Sequence, residues 1–221
     1  MQCVVCELST CVAFLTVDER DYWRCLACLA TFLDPSQLPS AEIELAQYKL
    51  HRNDPNDAGY RVFLDRVAQP LLTRLPAGSR GLDFGCGPGP VLAAMLRDAG
   101  HNVALFDPFF YPDRDVLNDT YDFITCTEVA EHFHRPAQAF NQLDGMLKPG
   151  GWLAVMTTLQ VDDAGFANWY YRRDPTHVVF YRQVTLQTIA RRFGLDYVYA
   201  GQNASLMFKP LRSPGTISVN V

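Results

Sequence analysis

Apolar residues recur at spacings of three and four in "SAEIELAQYKL" (40–50) and "GYRVFLDRVAQPLLTRL" (59–75), which predicts two amphipathic helices. Between them "HRNDPNDAG" (51–59) breaks the pattern with Pro55 and Gly59. The stretch "RGLDFGCGPGPVLAAMLRDAGHNVALFDP" (80–108) then reads as strand, glycine turn, helix and strand, one βαβ unit of a parallel sheet. "YDFITC" (121–126) is a further apolar strand, and "FGLDYVYAGQNASLMFK" (193–209) reads as a helix end followed by a hairpin. The fold class is therefore α/β.

Composition bounds this picture. A chain of 221 residues with 48% apolar content can bury one ordinary core plus a small appendage. The formal charge of −5 is spread without a basic cluster, so no footprint for duplex DNA is evident, while small or single-stranded substrates stay open. Apolar runs are strand-length, and "MQCVVCELST" has no basic region leading into a long apolar segment. The expectation is a protein of the reducing cytoplasm with no membrane partner, whose cysteines are metal ligands or core thiols.

Five of the seven cysteines lie in the stretch from Met1 to Cys28. Cys3-x2-Cys6 and Cys25-x2-Cys28 have the internal and mutual spacing of a four-thiolate zinc ribbon. Each pair can present two sulfurs to one tetrahedral ion, and so short a segment would draw its folding free energy from the metal. The alternative is a set of reduced, half-buried thiols; Cys11 fits no ligand position. The expected organisation is a zinc-ribbon-like segment (1–35), a helical lead-in (36–79) and a ligand-binding domain (80–221).

Gly85, Gly87 and Gly89 alternate in a turn at the carboxyl end of the first βαβ strand, where open α/β sheets bind ligands. Asp107 ends the next strand, placed to accept from ribose hydroxyls. A dinucleotide or an adenosyl ligand would suit these features. The dinucleotide fingerprint, however, wants Gly or Ala where Pro90 stands.

"LDFGCGPGP" (82–90) resembles the first motif of class I S-adenosylmethionine-dependent methyltransferases, and the likeness runs from about Gly59 to Lys209. "LKPGGWLAVMT" (147–157) is similar to that family's turn into its fifth strand, and the hairpin at 193–209 to its antiparallel sixth and seventh strands. The resemblance implies a Rossmann-like sheet, parallel with an antiparallel C-terminal hairpin, and S-adenosylmethionine as cofactor. By it Asp83, Gly85, Cys86, Gly87, Gly89, Asp107, Pro108 and Thr127 are the cofactor-binding residues. One stretch departs from the family: only the short segment 108–120 separates Asp107 from the next strand, so the usual helices and strand there must be abbreviated. Asp113 and Asp115 are available for the adenine amine, and Phe109, Phe110 and Tyr111 either pack on adenine or close the core.

The octet "TEVAEHFH" (127–134) follows "YDFITC" at the ligand edge of the sheet. If it is helical, Glu128 and His132 are an i,i+4 pair flanked by Glu131, on one face toward the cleft. The glutamates could simply favour a helix start; His132 or His177 could be a general base for a substrate hydroxyl; or the group could hold magnesium, manganese or zinc. "EVAEH" resembles the motif of ubiquinone-biosynthesis O-methyltransferases and of small-RNA 3′-end 2′-O-methyltransferases. That resemblance implies a divalent cation on Glu128, Glu131 and His132, with His177 of "DPTHVVFYRQVTLQTIARRFG" (174–194) completing the site. Elsewhere, Cys126 reads as a buried thiol rather than a nucleophile and His134 as a solvated turn residue. His51 and Tyr60 could cover the cofactor. "FANWYYRRDPTH" (166–177) is either a segment that stacks a ring and meets an anion with Arg172 and Arg173, or a packed lid. The expectation is an O-methyltransferase acting on a small-molecule or RNA-end hydroxyl. The contrasting class is a non-catalytic adenosyl-ligand sensor that uses its ribbon to bind a partner; a nicotinamide oxidoreductase is disfavoured by Pro90.

Overall fold

The structure is a computed structural model that describes residues 1–50, 54 and 57–211; His51 lies outside them. The chain opens with an antiparallel hairpin, β1 (Cys11–Val17) and β2 (Arg20–Cys25), whose two-residue turn places Asp18 and Glu19 in the left-handed region at φ 51° and 59°. This conformation matches the right-handed twist of the strands. A short β3 (Thr31–Leu33) pairs antiparallel with β2.

Of the two helices expected from periodicity, α2 (Ala58–Leu72) buries Leu64, Val67, Ala68 and Leu71, and the Asp57 side chain caps its first turn by accepting from Gly59 and Tyr60 N–H. Burial of each Leu or Val there contributes roughly 1.5–3 kcal/mol. The other, α1 (Ala41–Tyr48), buries no residue; it lies over the cleft, where Tyr48 lines the cavity, and not against the core. Its three-and-four spacing therefore marks a covering element and not a core helix.

The βαβ unit is β4 (Arg80–Phe84), α3 (Val91–Asp98) and β5 (Asn102–Phe106). Then come β6 (Tyr121–Thr127), α4 (Pro136–Met146), β7 (Leu147–Met156), β8 (Val179–Phe180), α5 (Gln183–Arg192), β9 (Asp196–Gly201) and β10 (Ala204–Phe208). The main sheet has the order β5-β4-β6-β7-β10-β9; its first four strands are parallel, and β10 and β9 form the antiparallel hairpin. Chain direction across the sheet reverses beside β4, so a crevice opens past the carboxyl ends of β4 and β6. Gly81 is the ladder partner of Phe123, and a side chain there would stand 2.1 Å from the Phe123 ring, so the glycine makes room for that ring against the sheet. One face of the sheet carries α2 and α3; Phe140 of α4 and Leu186 of α5 belong to the cluster on the other. Residues 108–120 hold a single 3-10 turn, Asp115–Asn118, so the sheet ends at β5 as the short spacing requires.

The ribbon is not set apart from this body. β3 also pairs with β8, so a second, four-stranded sheet β1-β2-β3-β8 joins residues 11–33 to 179–180. No helix of the described residues is long and apolar enough to cross a membrane.

Candidate active site and metal centres

After β4 the chain turns back over the end of β5, with Gly85 and Cys86 N–H both donating to the Phe106 carbonyl at 2.7 and 3.2 Å. This needs φ +78° at Gly85 and +63° at Gly87, a conformation that favours glycine. A side chain at Gly85 would also stand 2.5 Å from Val129. Gly87 N–H donates to Asp107 Oδ2 at 3.0 Å, while Phe109 and Phe110 N–H donate to Oδ1 at 2.9 and 3.1 Å. Three backbone donors thus fix the carboxylate and leave lone pairs toward the crevice.

A cavity of about 630 Å³ opens there, a size suited to a small ligand. Asp83, Gly85, Cys86, Gly87, Gly89, Asp107, Pro108 and Thr127 all line it, as do Tyr60, Phe109 and Phe110. Asp113 and Asp115 do not; Asp113 instead accepts from Asp115 N–H at 3.0 Å in an exposed turn. Tyr111 pairs its backbone with Asp107. Burial pushes the Asp83 carboxyl up to about 6, against the hydrogen bond from Thr125 Oγ1 at 2.7 Å. Burial likewise lifts the Cys86 thiol well above its usual range, which makes it an inert wall of the cavity.

The octet does not form a helix. Glu128 sits at φ +52° with its N–H on the Met156 carbonyl at 2.8 Å, extending the β6–β7 ladder by one bond. Only Ala130–His132 make a 3-10 turn. Glu131, His132 and His177 nevertheless converge, one ligand atom from each lying within 4.8 Å of the others, and Glu128 does not stand in that group. The left-handed backbone directs its carboxylate instead to the cavity wall near the Tyr171 hydroxyl, 3.4 Å away. Burial and the neighbouring Glu131 push Glu128 up to about 9.

His132 Nδ1 lies 3.0 Å from the Thr176 carbonyl and His177 Nδ1 2.7 Å from the Tyr171 carbonyl. A carbonyl only accepts, so both Nδ1 atoms carry a proton, which leaves Nε2 as the atom each ring can offer to a metal. Burial holds His177 below its usual value, in the neutral form. Glu131 is fully buried; its Oε1 accepts from the Tyr171 hydroxyl, and its Oε2 has no partner among the described residues. Such an orphaned oxygen beside two oriented imidazoles fits a divalent cation.

Around the trio, the Tyr48 ring meets His132 at 5.2 Å and Phe109 at 5.6 Å, spanning the cavity. His134 is not a solvated turn residue: its Nε2 lies 3.1 Å from Glu44 Oε1. Cys126 is fully buried with its thiol raised by desolvation, as expected of a core thiol. Within 166–177, Phe166, Tyr171, Arg172, Thr176 and His177 are buried while Tyr170 and Arg173 are exposed; Arg172 is paired with Asp18 at 2.6 Å and so is not available to an external anion. Tyr171 and Tyr48 are the residues sequence reasoning passed over; the aromatic run before His177 was the only signal for the former.

Cys3, Cys6, Cys25 and Cys28 gather in a second cluster, each at most 1% exposed, with sulfurs of Cys3 and Cys28, and of Cys6 and Cys25, 3.7 Å apart. A tetrahedron with metal–sulfur bonds of about 2.3 Å has edges of about 3.8 Å. Val5 and Cys6 N–H point at Cys3 Sγ and Cys28 N–H at Cys25 Sγ, each at 3.4 Å, as thiolate acceptors require. The four residues thus fit a zinc ion. The Cys28 contact draws Cys3 down to about 5, and Cys11 is no member of the group.

A profile described as a methyltransferase domain matches residues 57–200. Curated relatives include ubiquinone biosynthesis O-methyltransferases of Shewanella pealeana, 29% identical over 91 residues (41% of this chain, 39% of the relative), and of Hydrogenovibrio crunogenus, 27% identical over 172 residues (59% and 66%). The chain spans from about two fifths to just under two thirds of their lengths. Among solved structures, a 1,6-didemethyltoxoflavin-N1-methyltransferase of Burkholderia thailandensis matches with TM-score 0.55 and 15% identity over 88% of this chain and 96% of that one. An O-methyltransferase family protein of the same organism gives 0.52 and 18% over 70% and 57%. At these identities the structures share the fold.

Proposed function

Since the chain belongs to the class I S-adenosylmethionine-dependent methyltransferases, we propose that it moves the donor methyl group to a hydroxyl oxygen held against Glu131, His132 and His177. In that reaction the oxygen attacks the methyl carbon, the carbon–sulfur bond breaks with its electron pair going to sulfur, and the hydroxyl proton passes to solvent through the open cavity. A divalent ion on Glu131 Oε2 and the two Nε2 atoms would lower the pKa of a bound hydroxyl.

The chain's own residues supply the rest. Asp107, fixed by three backbone donors, orients a ribose, and the glycine turn lets the donor approach the backbone. The Thr176 and Tyr171 carbonyls each accept from an Nδ1 and so fix the two imidazoles with Nε2 as the atom offered to an ion. The observation that carries this reading is the fully buried Glu131 carboxylate, whose Oε2 has no hydrogen-bond partner among the described residues and one of whose oxygens lies within 4.8 Å of both histidines' ligand atoms. The carboxylates Glu44, Glu128 and Asp174 line the cavity together with His132 and His177, and among the described residues no lysine or arginine lines it. This favours an uncharged small-molecule hydroxyl over a phosphate-bearing RNA end. The four ribbon cysteines are assigned to one structural zinc.

Manganese titration followed by water-proton relaxation tests the cleft assignment. One site should appear in the wild type and be lost in His177→Ala and Glu131→Gln, with S-adenosylhomocysteine affinity retained. Equal manganese binding by all three proteins would refute it. If none binds manganese while His177→Ala abolishes methyl transfer, His177 is a general base and the ion is dispensable.

A further inference from the structure

Tyr171 touches the proposed ligand set at three points. Its hydroxyl donates to Glu131 Oε1, its carbonyl accepts from His177 Nδ1, and its ring lies 4.1 Å from the His177 ring, centroid to centroid. The hydroxyl is itself fixed by Thr157 Oγ1 at 3.1 Å and accepts from Thr158 N–H at 3.2 Å. The next residue, Arg172, is clamped by Asp18 of the β1–β2 turn at 2.6 Å.

The ribbon grips the same wall elsewhere. Buried Arg24 pairs with Asp163 at 2.5 Å, and Thr31 Oγ1 donates to Gln160 at 2.6 Å. Phe14 and Tyr22 set their ring edges against Phe166, at 5.4 and 5.0 Å. Leu33 N–H donates to the Val178 carbonyl at 2.9 Å, and Val178 N–H in turn donates to the Glu131 carbonyl at 2.8 Å. One residue from His177, Val178 alone thus links the ribbon to the Glu131 turn through its N–H and its carbonyl. Thr185 Oγ1 donates to the carbonyl of Cys28, itself one of the four cysteines.

We infer that the cysteine ribbon is an internal part of the acceptor site: its fold positions Glu131 and His177 through Tyr171 and the 174–181 segment. The Tyr171 arm rests on the proposed role of Glu131, His132 and His177, whereas the ribbon arm rests on backbone pairing alone. Tyr171 is a positioning residue, and the ribbon cysteines act at a distance by keeping β3 in place to pair with β8. Removing the thiolate pair of one knuckle should loosen the wall bearing His177 and leave the glycine turn, which is held by its own bonds to the Phe106 carbonyl, intact.

Two variants of the full chain separate these arms. Tyr171→Phe removes one hydroxyl and keeps the ring and carbonyl. It should weaken manganese binding about 10- to 100-fold, leave S-adenosylhomocysteine affinity within about twofold, and retain the ribbon zinc. Wild-type manganese affinity in this variant would overturn the Tyr171 arm. The double variant Cys3→Ser/Cys6→Ser should speed amide hydrogen exchange across 174–181 by about tenfold or more, again with S-adenosylhomocysteine affinity little changed. Acceleration confined to residues 1–35 would overturn the ribbon arm. Should the double variant not fold, Asp18→Asn keeps all four cysteines and serves in its place. Faster exchange over 167–177 supports the coupling, and unchanged exchange refutes it. If the wild type takes up no manganese, the proposed ion falls, and the exchange measurements still decide whether the ribbon holds the wall.

Discussion

Glu131→Gln should reverse its effect on stability when a divalent ion is added. In the ion-free protein the Glu131 side chain is fully buried, with Oε2 partnerless among the described residues and burial raising its pKa. A carboxyl whose folded-state pKa is raised contributes stability only at low pH, where folded and unfolded chains are both protonated; that contribution is lost as pH rises, so at pH 8 Glu131 opposes folding. An unsatisfied buried polar group costs about 1–3 kcal/mol. The amide is isosteric, keeps an acceptor for the Tyr171 hydroxyl, and removes the charge. Ion-free Glu131→Gln should therefore exceed the wild type by about 1–2 kcal/mol, or about 2–8 °C in melting temperature for a chain of this size. Manganese at about 100 times its dissociation constant should add about 2.7 kcal/mol to the wild type and much less to the variant, which has lost an anionic ligand. The order of melting temperatures should then invert. Scanning calorimetry at pH 8 with and without manganese is the assay. A variant less stable than the wild type in both conditions would refute the reasoning, because Glu131 would then be satisfied without an ion.

Gly85→Ala should lose roughly 2–5 kcal/mol of stability, from the left-handed backbone and the overlap with Val129; Gly85→Ala/Val129→Ala should regain the overlap part alone, read by urea denaturation. Asp83 has a folded-state pKa near 6, above the ordinary 3.8, so its stabilising contribution is complete below pH 4 and lost as pH rises toward 6. Asp83→Asn should abolish that decline, worth at most about 3 kcal/mol for a carboxyl raised this far, in denaturation curves taken from pH 4 to 7. Elemental analysis should find one zinc per chain, lost in Cys25→Ser/Cys28→Ser; zinc retained there would place the metal elsewhere.

The parts of the site that were legible in the sequence are those whose chemistry is local. The glycine turn needs left-handed backbone at Gly85 and Gly87 within one short loop, and the cysteine pairs make their own knuckles. The octet was legible as a cluster of candidate ligands but not as geometry. The i,i+4 pairing assumed a helix, whereas β6 runs on through Thr127 and Glu128 continues the ladder to Met156 in a left-handed conformation, so its carboxylate stands beside the Tyr171 hydroxyl and not within the group of three. Tyr171 could not be found this way, because its bond to Glu131 spans 40 residues and depends on how the 166–177 segment folds over the sheet. The β3–β8 pairing is equally non-local, which is why the ribbon reads in sequence as an appendage and in the structure shares a sheet with the residues beside His177.

The most direct test of the account is transfer of an isotopically labelled methyl group from S-adenosylmethionine to a panel of uncharged hydroxyl compounds. It is made with the cleft ion removed and then restored, with zinc content monitored throughout. The account predicts label on oxygen, lost on removal and recovered with magnesium or manganese, while donor binding persists. Label on nitrogen, or full turnover in protein whose cleft holds no ion, would contradict it.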